Sequence, residues 1–184
     1  MKTNVTQVMV EEHQLILRMI ALVEQNTARL EAGRFYDWYF YLDAVDFIRN
    51  YADRFHHAKE ENVLFAELVK NGMPEKRSPI EAMHIEHEQG RAHVRAIEAA
   101  AKKALNGEPG QETILIEHAK GYASLLRGHI EKEDTILYPL AERVLPTQIR
   151  ERMLLAYAEA VARTPGLEKK YQQMVANYEH QNAA

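Results

Sequence analysis

Cysteine is absent from the 184 residues of this chain. Disulfides, thiolate zinc sites, iron–sulfur ligation and cysteine catalysis are therefore excluded. Glycine and proline are scarce, with 8 and 6 residues, and a chain so poor in helix breakers is expected to be helical. No apolar run approaches the length of about 18 residues that a membrane span needs, and the first residues lack the apolar core of a secretory signal. We therefore predict a cytoplasmic protein that does not enter a membrane.

An excess of one charge is also lacking. The 23 basic and 27 acidic residues give a formal net charge of −4. Nucleic-acid-binding proteins usually carry a strongly basic patch, so no nucleic-acid partner is expected. Histidine is abundant by contrast, with 9 residues and no terminal run that would explain the number.

The breakers divide the chain into four long segments and a shorter tail. Segments 5–31, 37–70, 78–106 and 111–144 each carry apolar side chains at intervals of three and four, which is the period of one helix face. Short connections make consecutive helices antiparallel. The sequence therefore predicts an all-α protein. Its expected architecture is an up-down-up-down four-helix bundle over residues 1–145, with additional C-terminal helices in an extension, 146–184, that packs on the bundle.

Local signals mark where these helices begin or bend. Asp37 is a predicted N-cap of the second helix. Ser78-Pro79-Ile80-Glu81 is a capping box with proline at the first helical position. Pro139 is expected to distort the last turns of the fourth helix.

Histidines interrupt all four apolar stripes. They are His13, His56, His87 and His129. Glu60 and Glu133 each follow one of them by four residues, so each His/Glu pair shares a helix face. Both pairs lie in an internal repeat, since 56–65 and 129–138 carry His, Lys, Glu, a second acid, Leu and an aromatic at matching positions. Unpaired carboxylates in a core cost several kcal/mol each, and metal cations would remove that cost. Imidazole and carboxylate suit iron, zinc or manganese, and two carboxylates could bridge a dinuclear centre.

Further polar residues lie on or beside these stripes. His118 and Tyr122 share the histidine face of the fourth helix. They could be core residues with polar tips, or they could line a pocket and hydrogen-bond a bound ligand or the centre. Lys59 and Lys132 are expected to point outward as salt partners. His57 is expected to be exposed or to neighbour a metal ligand.

These motifs resemble a known family, the hemerythrin-like or HHE cation-binding domains. The resemblance covers about residues 5–145 and matches an H-HxxxE-H-HxxxE subtype. It is carried by Glu12-His13, by 56–65, by Glu86-His87-Glu88-Gln89-Gly90-Arg91 and by 125–139. The resemblance implies a centre of two iron ions joined by an oxo or hydroxo group. His13 and His56 would bind one iron, His87 and His129 would bind the other, and Glu60 and Glu133 would bridge the two.

The chain departs from the oxygen-carrying hemerythrins on the third helix. The carriers place two histidines four residues apart there, whereas Met83 and Arg91 stand at that spacing from His87. The stripes thus offer one histidine fewer, which implies a more open site. An open site favours sensing, scavenging or a response to peroxide or NO over oxygen transport.

The choice of carboxylate also differs from the carriers. They use an acid five residues after the histidine of the fourth helix, which here is Asp134. A step of five turns a side chain by about 140° on an ideal helix. Glu133 is therefore preferred, with Asp134 as the alternative, and Glu61 could similarly replace Glu60.

The function implied by the resemblance is that of a non-haem di-iron protein that binds a small diatomic ligand, oxygen or nitric oxide. Iron storage, iron donation or repair of iron centres is one alternative. A metal-stabilised interaction module, loaded with zinc and without gas chemistry, is another. The extension 146–184 could dock a partner or a second copy of the chain in a homodimer. No redox partner is indicated.

Overall fold

The computed structural model describes residues 4–183, which form helices and no strand. The six helices are α1 (Gln7–Glu31), α2 (38–70), α3 (Pro79–Leu105), α4 (111–144), α5 (Thr147–Ala162) and α6 (Leu167–Ala183). The prediction of an all-α fold with extra C-terminal helices is confirmed. Within this part of the chain, no helix is both long and apolar enough to cross a membrane.

Two of these helices change their hydrogen-bonding pattern along their length. In α2, π-helical turns at Ile48–His57 and Glu60–Phe65 lie between α-helical ends. In α4, a π-helical turn at Glu133–Leu137 joins Gln111–Lys132 to Tyr138–Val144. The distortion expected near Pro139 is present, but α2 is distorted over a longer stretch without any proline.

The helix starts follow the caps that the sequence indicates. The Asp37 carboxylate accepts hydrogen bonds from the backbone N–H groups of Tyr39 and Phe40, at 3.0 and 3.2 Å. The Ser78 hydroxyl accepts from the Glu81 N–H at 3.4 Å. The Glu81 side chain closes the box one residue early, because it accepts from the Arg77 N–H at 2.6 Å.

The first four helices form a closed ring. Helix α1 packs against α2 and α4, and α3 packs against the same two helices. Short loops join consecutive members of the ring, so neighbours run antiparallel, as predicted for a four-helix bundle.

The two C-terminal helices cover parts of this ring. Helix α6 packs on α1 and on the first π-helical stretch of α2, where Tyr171 and Val175 are buried. The Tyr171 ring lies against Phe47 and Tyr51. Helix α5 packs on the second π-helical stretch of α2.

Apolar side chains form two separate clusters along the bundle. One contains Ile16 and Leu126 together with the α6 contacts, and the other contains Met9, Leu64 and Leu137. Along each helix, the histidine of the stripe falls between members of the two clusters. The core therefore contains a polar layer at mid-height, where water is excluded from both sides.

Candidate metal centre

The polar layer contains the four histidines of the stripes, which face each other in two pairs. The Nε2 atoms of His13 and His56 are 2.9 Å apart. The Nε2 atoms of His87 and His129 are 3.0 Å apart. All four rings are buried. Each pair therefore presents two nitrogen lone pairs to one position.

Two carboxylates connect these histidine pairs. Glu60 directs Oε1 toward His56 Nε2 at 3.7 Å and Oε2 toward His87 Nε2 at 3.6 Å. Glu133 directs Oε2 toward His13 Nε2 at 3.3 Å and Oε1 toward His129 Nε2 at 3.2 Å. Each carboxylate thus has one oxygen at each pair, which is the arrangement of a bridging ligand.

Protonation in this layer is shared unequally. Burial and the neighbouring Glu133 carboxylate raise the pKa of Glu60 well above its ordinary value. Burial also acts to raise the pKa of Glu133, but His129 and His13 outweigh it and hold that pKa well below its ordinary value. Glu60 is therefore the more readily protonated of the two carboxyl groups, and a metal ion would compete with its proton.

A second acid orients each histidine from outside. The Nδ1 atom of every ring lies within hydrogen-bond distance of a carboxylate on another helix, which fixes the ring and its tautomer and leaves Nε2 free to bind a cation. The pairs are His13 with Asp134 at 2.8 Å, His56 with Glu12 at 2.9 Å, His87 with Glu61 at 2.7 Å and His129 with Glu86 at 2.9 Å.

The structure thus gives different positions to the alternative acids. Glu60 and Glu133 lie between the histidine pairs, and Glu61 and Asp134 bind the outer nitrogens. The π-helical turns explain why adjacent acids can do both. An i→i+5 turn holds one more residue than an α turn. The residues four and five positions after a histidine therefore lie on either side of the direction in which that histidine points.

The lysines of the repeat are not equivalent. Lys59, expected to point outward, is only 2% exposed. It bonds to Glu12, and its ammonium lies 3.7 Å from the centre of the Phe55 ring. The expectation was wrong because Glu12 turns toward His56 and draws the lysine inward. Lys132 makes the matching bond to Glu86, but its side chain is 43% exposed.

The two repeats, 56–65 and 129–138, also differ in the aromatic residue that packs against each histidine pair. Tyr138 stacks on His13 with ring centres 5.6 Å apart, and its hydroxyl donates to Glu60. Phe65, the matching residue of the other repeat, has no hydroxyl and stacks on His87. The first pair is therefore closed by a hydrogen-bonding tyrosine and the second is not.

His57 stands beside the second pair instead. It is 7% exposed, and its ring stacks on His87 with centres 3.8 Å apart. Burial and the neighbouring His87 lower its pKa to about 4. The matching residue of the other repeat is Ile130, so the sequence gives the second position a fifth nearby histidine. The sequence predicts that His57 is either exposed or next to a metal ligand. The structure shows that it is buried and lies beside His87, one of the predicted ligands.

The remaining candidates lie further out. His118 is half-buried, and its Nδ1 lies 3.1 Å from Nδ1 of His93, away from the polar layer. Tyr122 is buried and lines a cavity that also touches His57 and His129. Sequence reasoning assigned no role to Glu12 and Glu86 in orienting histidines. The recurring Glu-His dipeptides, 12–13 and 86–87, were the available signal.

Comparison with protein families agrees with this geometry. The model of the hemerythrin HHE cation binding domain matches residues 4–141, which is most of the chain. The chain belongs to this family. No curated protein and no solved structure shows a significant match to it.

The donors of this hemerythrin HHE domain fit a pair of cations. Glu60 Oε2 and both oxygens of Glu133 are buried and have no hydrogen-bond donor among residues 4–183. Such atoms are costly unless something positive faces them. Two fully buried groups of ligand atoms, each within 4.8 Å of one another, could hold one ion each. They are His13, His56, Glu60 and Glu133, and His57, Glu60, His87 and His129. A third and less buried group, Glu61, His84 and His87, shares His87 with the second.

Proposed function

We propose that this hemerythrin HHE protein is a non-haem di-iron protein that binds a small diatomic ligand, oxygen or nitric oxide. The observation that supports it most directly is the pair of carboxylates, each with one oxygen toward each histidine pair. Two bridging carboxylates in a helical bundle suit a dinuclear centre. The mixed imidazole and carboxylate donor set suits iron, with zinc or manganese as the alternatives.

In this proposal the chain's own residues hold the two ions, and they exclude water from the first position. His13 and His56 bind one iron, and His87 and His129 bind the other. The outer acids hold each ring so that Nε2 carries the lone pair. Bound iron would supply the capacity to bind oxygen or nitric oxide and to change oxidation state.

The two positions differ in access. Tyr138 and the apolar cluster around it close the first position. A cavity of about 240 Å³ reaches His87 and His129 at the second position, and its lining includes exposed arginines. A small ligand is thus expected to enter at the second position. Access from solvent through a charged channel suits sensing or scavenging better than protected, reversible storage of oxygen.

The test begins with metal content and the optical spectrum of aerobically purified protein, followed by NO addition to the reduced form. We expect about two irons per chain, as the two donor groups require, near-ultraviolet absorption of an oxo bridge and a new nitrosyl band. Glu60→Ala and Glu133→Ala should lose iron, whereas Glu131→Ala, on the exposed face of the same helix as Glu133, should retain it.

Other outcomes would contradict the proposal. Zinc or no metal, with no response to oxygen, peroxide or NO, would indicate a metal-stabilised interaction module. Iron that passes readily to an apo acceptor protein, without a nitrosyl band, would indicate storage or donation. Full iron content in both bridging variants would show that these carboxylates are not the bridge.

A further inference from the structure

The cavity beside the second metal position is much larger than a diatomic ligand requires. Its volume is about 240 Å³, whereas a molecule of one or two atoms needs a space on the order of tens of Å³. It lies among α2, α3 and α4. The buried rings of His57, His87 and His129 form its floor, and buried Ile48, Val94 and Leu126 provide apolar walls.

Cationic side chains dominate the outer part of the cavity. Four arginines line it, Arg49, Arg54, Arg91 and Arg95, against two carboxylates, Asp53 and Glu86. Arg49 is paired with Glu98, and Arg91 with Asp53. Arg54 and Arg95 are exposed, and neither forms an ion pair among residues 4–183, although Nη1 of Arg54 donates to the Asn50 side-chain oxygen at 3.1 Å. Two guanidinium groups are thus available to an anion, and their planar donors suit a carboxylate.

Deep in the cavity, Tyr122 presents a polar atom that nothing satisfies. Its side chain is 3% exposed, and its hydroxyl has no hydrogen-bond partner in the described part of the chain. Buried hydroxyl groups are almost always paired in native proteins. Gly90 also lines the cavity and lies next to the Tyr122 ring, since a Cβ at position 90 would be 3.6 Å from Cε2 of that ring. The absence of a side chain at position 90 keeps this space open.

We propose that this cavity binds a small organic anion, a carboxylate with a short apolar chain, beside the second metal position. Arg54 and Arg95 hold the carboxylate at the mouth. The apolar chain lies against Val94 and Leu126, and a hydroxyl or carbonyl oxygen at its inner end forms a hydrogen bond with the Tyr122 hydroxyl. This proposal rests on the proposed function only in placing the anion next to a metal ion. The cavity itself is formed by protein side chains and does not need the metal.

Calorimetric titration of the metal-loaded protein with three probes tests this inference. Hexanoate carries both features, formate carries only the charge and hexanol carries only the apolar chain. We expect hexanoate to bind at least tenfold more tightly than formate, since each buried methylene contributes up to about fourfold. Hexanol should bind about fivefold more weakly than hexanoate, as expected when an exposed ion pair is lost.

Substitutions at Gly90 test the location without removing a metal ligand. Gly90→Ala narrows the cavity and Gly90→Leu fills more of it, so hexanoate affinity should fall in that order. The Ala variant is expected to fold, because its Cβ makes only ordinary contacts and alanine favours a helix. Gly128→Ala and Gly128→Leu are the matched controls on α4, where a Cβ meets nothing within 4 Å. These controls should leave hexanoate affinity unchanged.

The charge is tested by Arg95→Gln, with Arg152→Gln as a control that removes the same charge from an exposed position on helix α5. Arg95→Gln should weaken hexanoate about fivefold and leave hexanol unaffected. The inference would be overturned by equal affinities for formate and hexanoate. It would also be overturned if substitutions at Gly90 and at Arg95 both left the hexanoate affinity unchanged. Metal content is measured on every sample. Two bound metals without hexanoate binding would refute the cavity proposal alone. Hexanoate binding to protein that takes up no metal would support the cavity proposal and refute only the di-iron proposal.

Discussion

Replacing Glu60 by glutamine is expected to have opposite effects on stability with and without metal. The substitution keeps the shape of the side chain and the oxygen that accepts from Tyr138, but it removes the ionisable group. Glu60 is fully buried, and its Oε2 has no hydrogen-bond donor among the described residues. Burial disfavours the charged form of the Glu60 carboxyl and raises its pKa. An amide carries no charge in either the folded or the unfolded chain and could donate to a histidine nitrogen, so the cost of burying this ionisable group is relieved.

The magnitude follows from these contacts. Relief of an unsatisfied buried group is worth about 1–3 kcal/mol. For a chain of this length, each kcal/mol shifts Tm by roughly 2–4 °C. In chelator, Glu60→Gln should therefore unfold about 2–12 °C above the parent protein. With metal the parent gains about 4 kcal/mol at a free concentration a thousand times Kd, and the variant, which lacks a bridging carboxylate, should gain little of it.

Thermal unfolding followed by circular dichroism, with chelator and then with Fe(II) under anaerobic conditions, measures both effects. Glu131→Gln makes the same chemical change on the exposed face of α4 and should alter neither Tm. The reasoning is refuted if Glu60→Gln keeps the parent's metal affinity. It is equally refuted if the metal-free variant is less stable than the metal-free parent.

Three further predictions concern the surroundings of the centre. Lys59→Met should destabilise the fold by about 3–5 kcal/mol because it leaves Glu12 buried without its cation. Lys132→Met, at the half-exposed matching position, should cost less than about 1 kcal/mol. Urea unfolding measures the free energy of unfolding of both variants. Tyr171→Ala should cost about 3–5 kcal/mol in the same assay, because the ring is buried between α6 and α2. Metal affinity should rise with pH toward about 9. Burial opposes the charged form of His13, but hydrogen bonds to Asp134 and Glu133 outweigh it and raise the pKa of His13 to about 9. This proton must leave before the metal binds. A metal affinity that does not change between pH 6 and 9 would contradict the last prediction.

The helices of this protein, their order and the His/Glu pairs on their faces are set by residues within single helices. These features can therefore be predicted from the sequence. The apolar period of three and four, the caps at Asp37 and Ser78, and the shortage of breakers predict the helices and their order. The recurrence of a histidine four residues before a glutamate predicts ligand pairs on one face. These features depend on residues a few positions apart, whose relative placement is set by local backbone geometry.

The tertiary structure decides what lies across from each of these residues. His13 meets His56 and Asp134 from distant parts of the chain. Two residues show the limit of local reasoning most clearly. Lys59 lies inside rather than outside, and His57 faces the second metal position. His57 ends one π-helical stretch of α2 and Lys59 precedes the next, so the ideal α-helical angle does not hold across these residues. The inward position of Lys59 also depends on Glu12, a residue of another helix.

The cavity belongs wholly to the tertiary level. Its arginines, its buried tyrosine and the glycine that keeps it open come from three helices and share no sequence motif. A helical period specifies which face of each helix is apolar, but not how far neighbouring faces stand apart. That separation is set by the sizes of side chains that meet across the helix contacts. The sequence therefore determined which histidines and carboxylates share a helix face, and helix packing decided which of the two histidine pairs the cavity reaches.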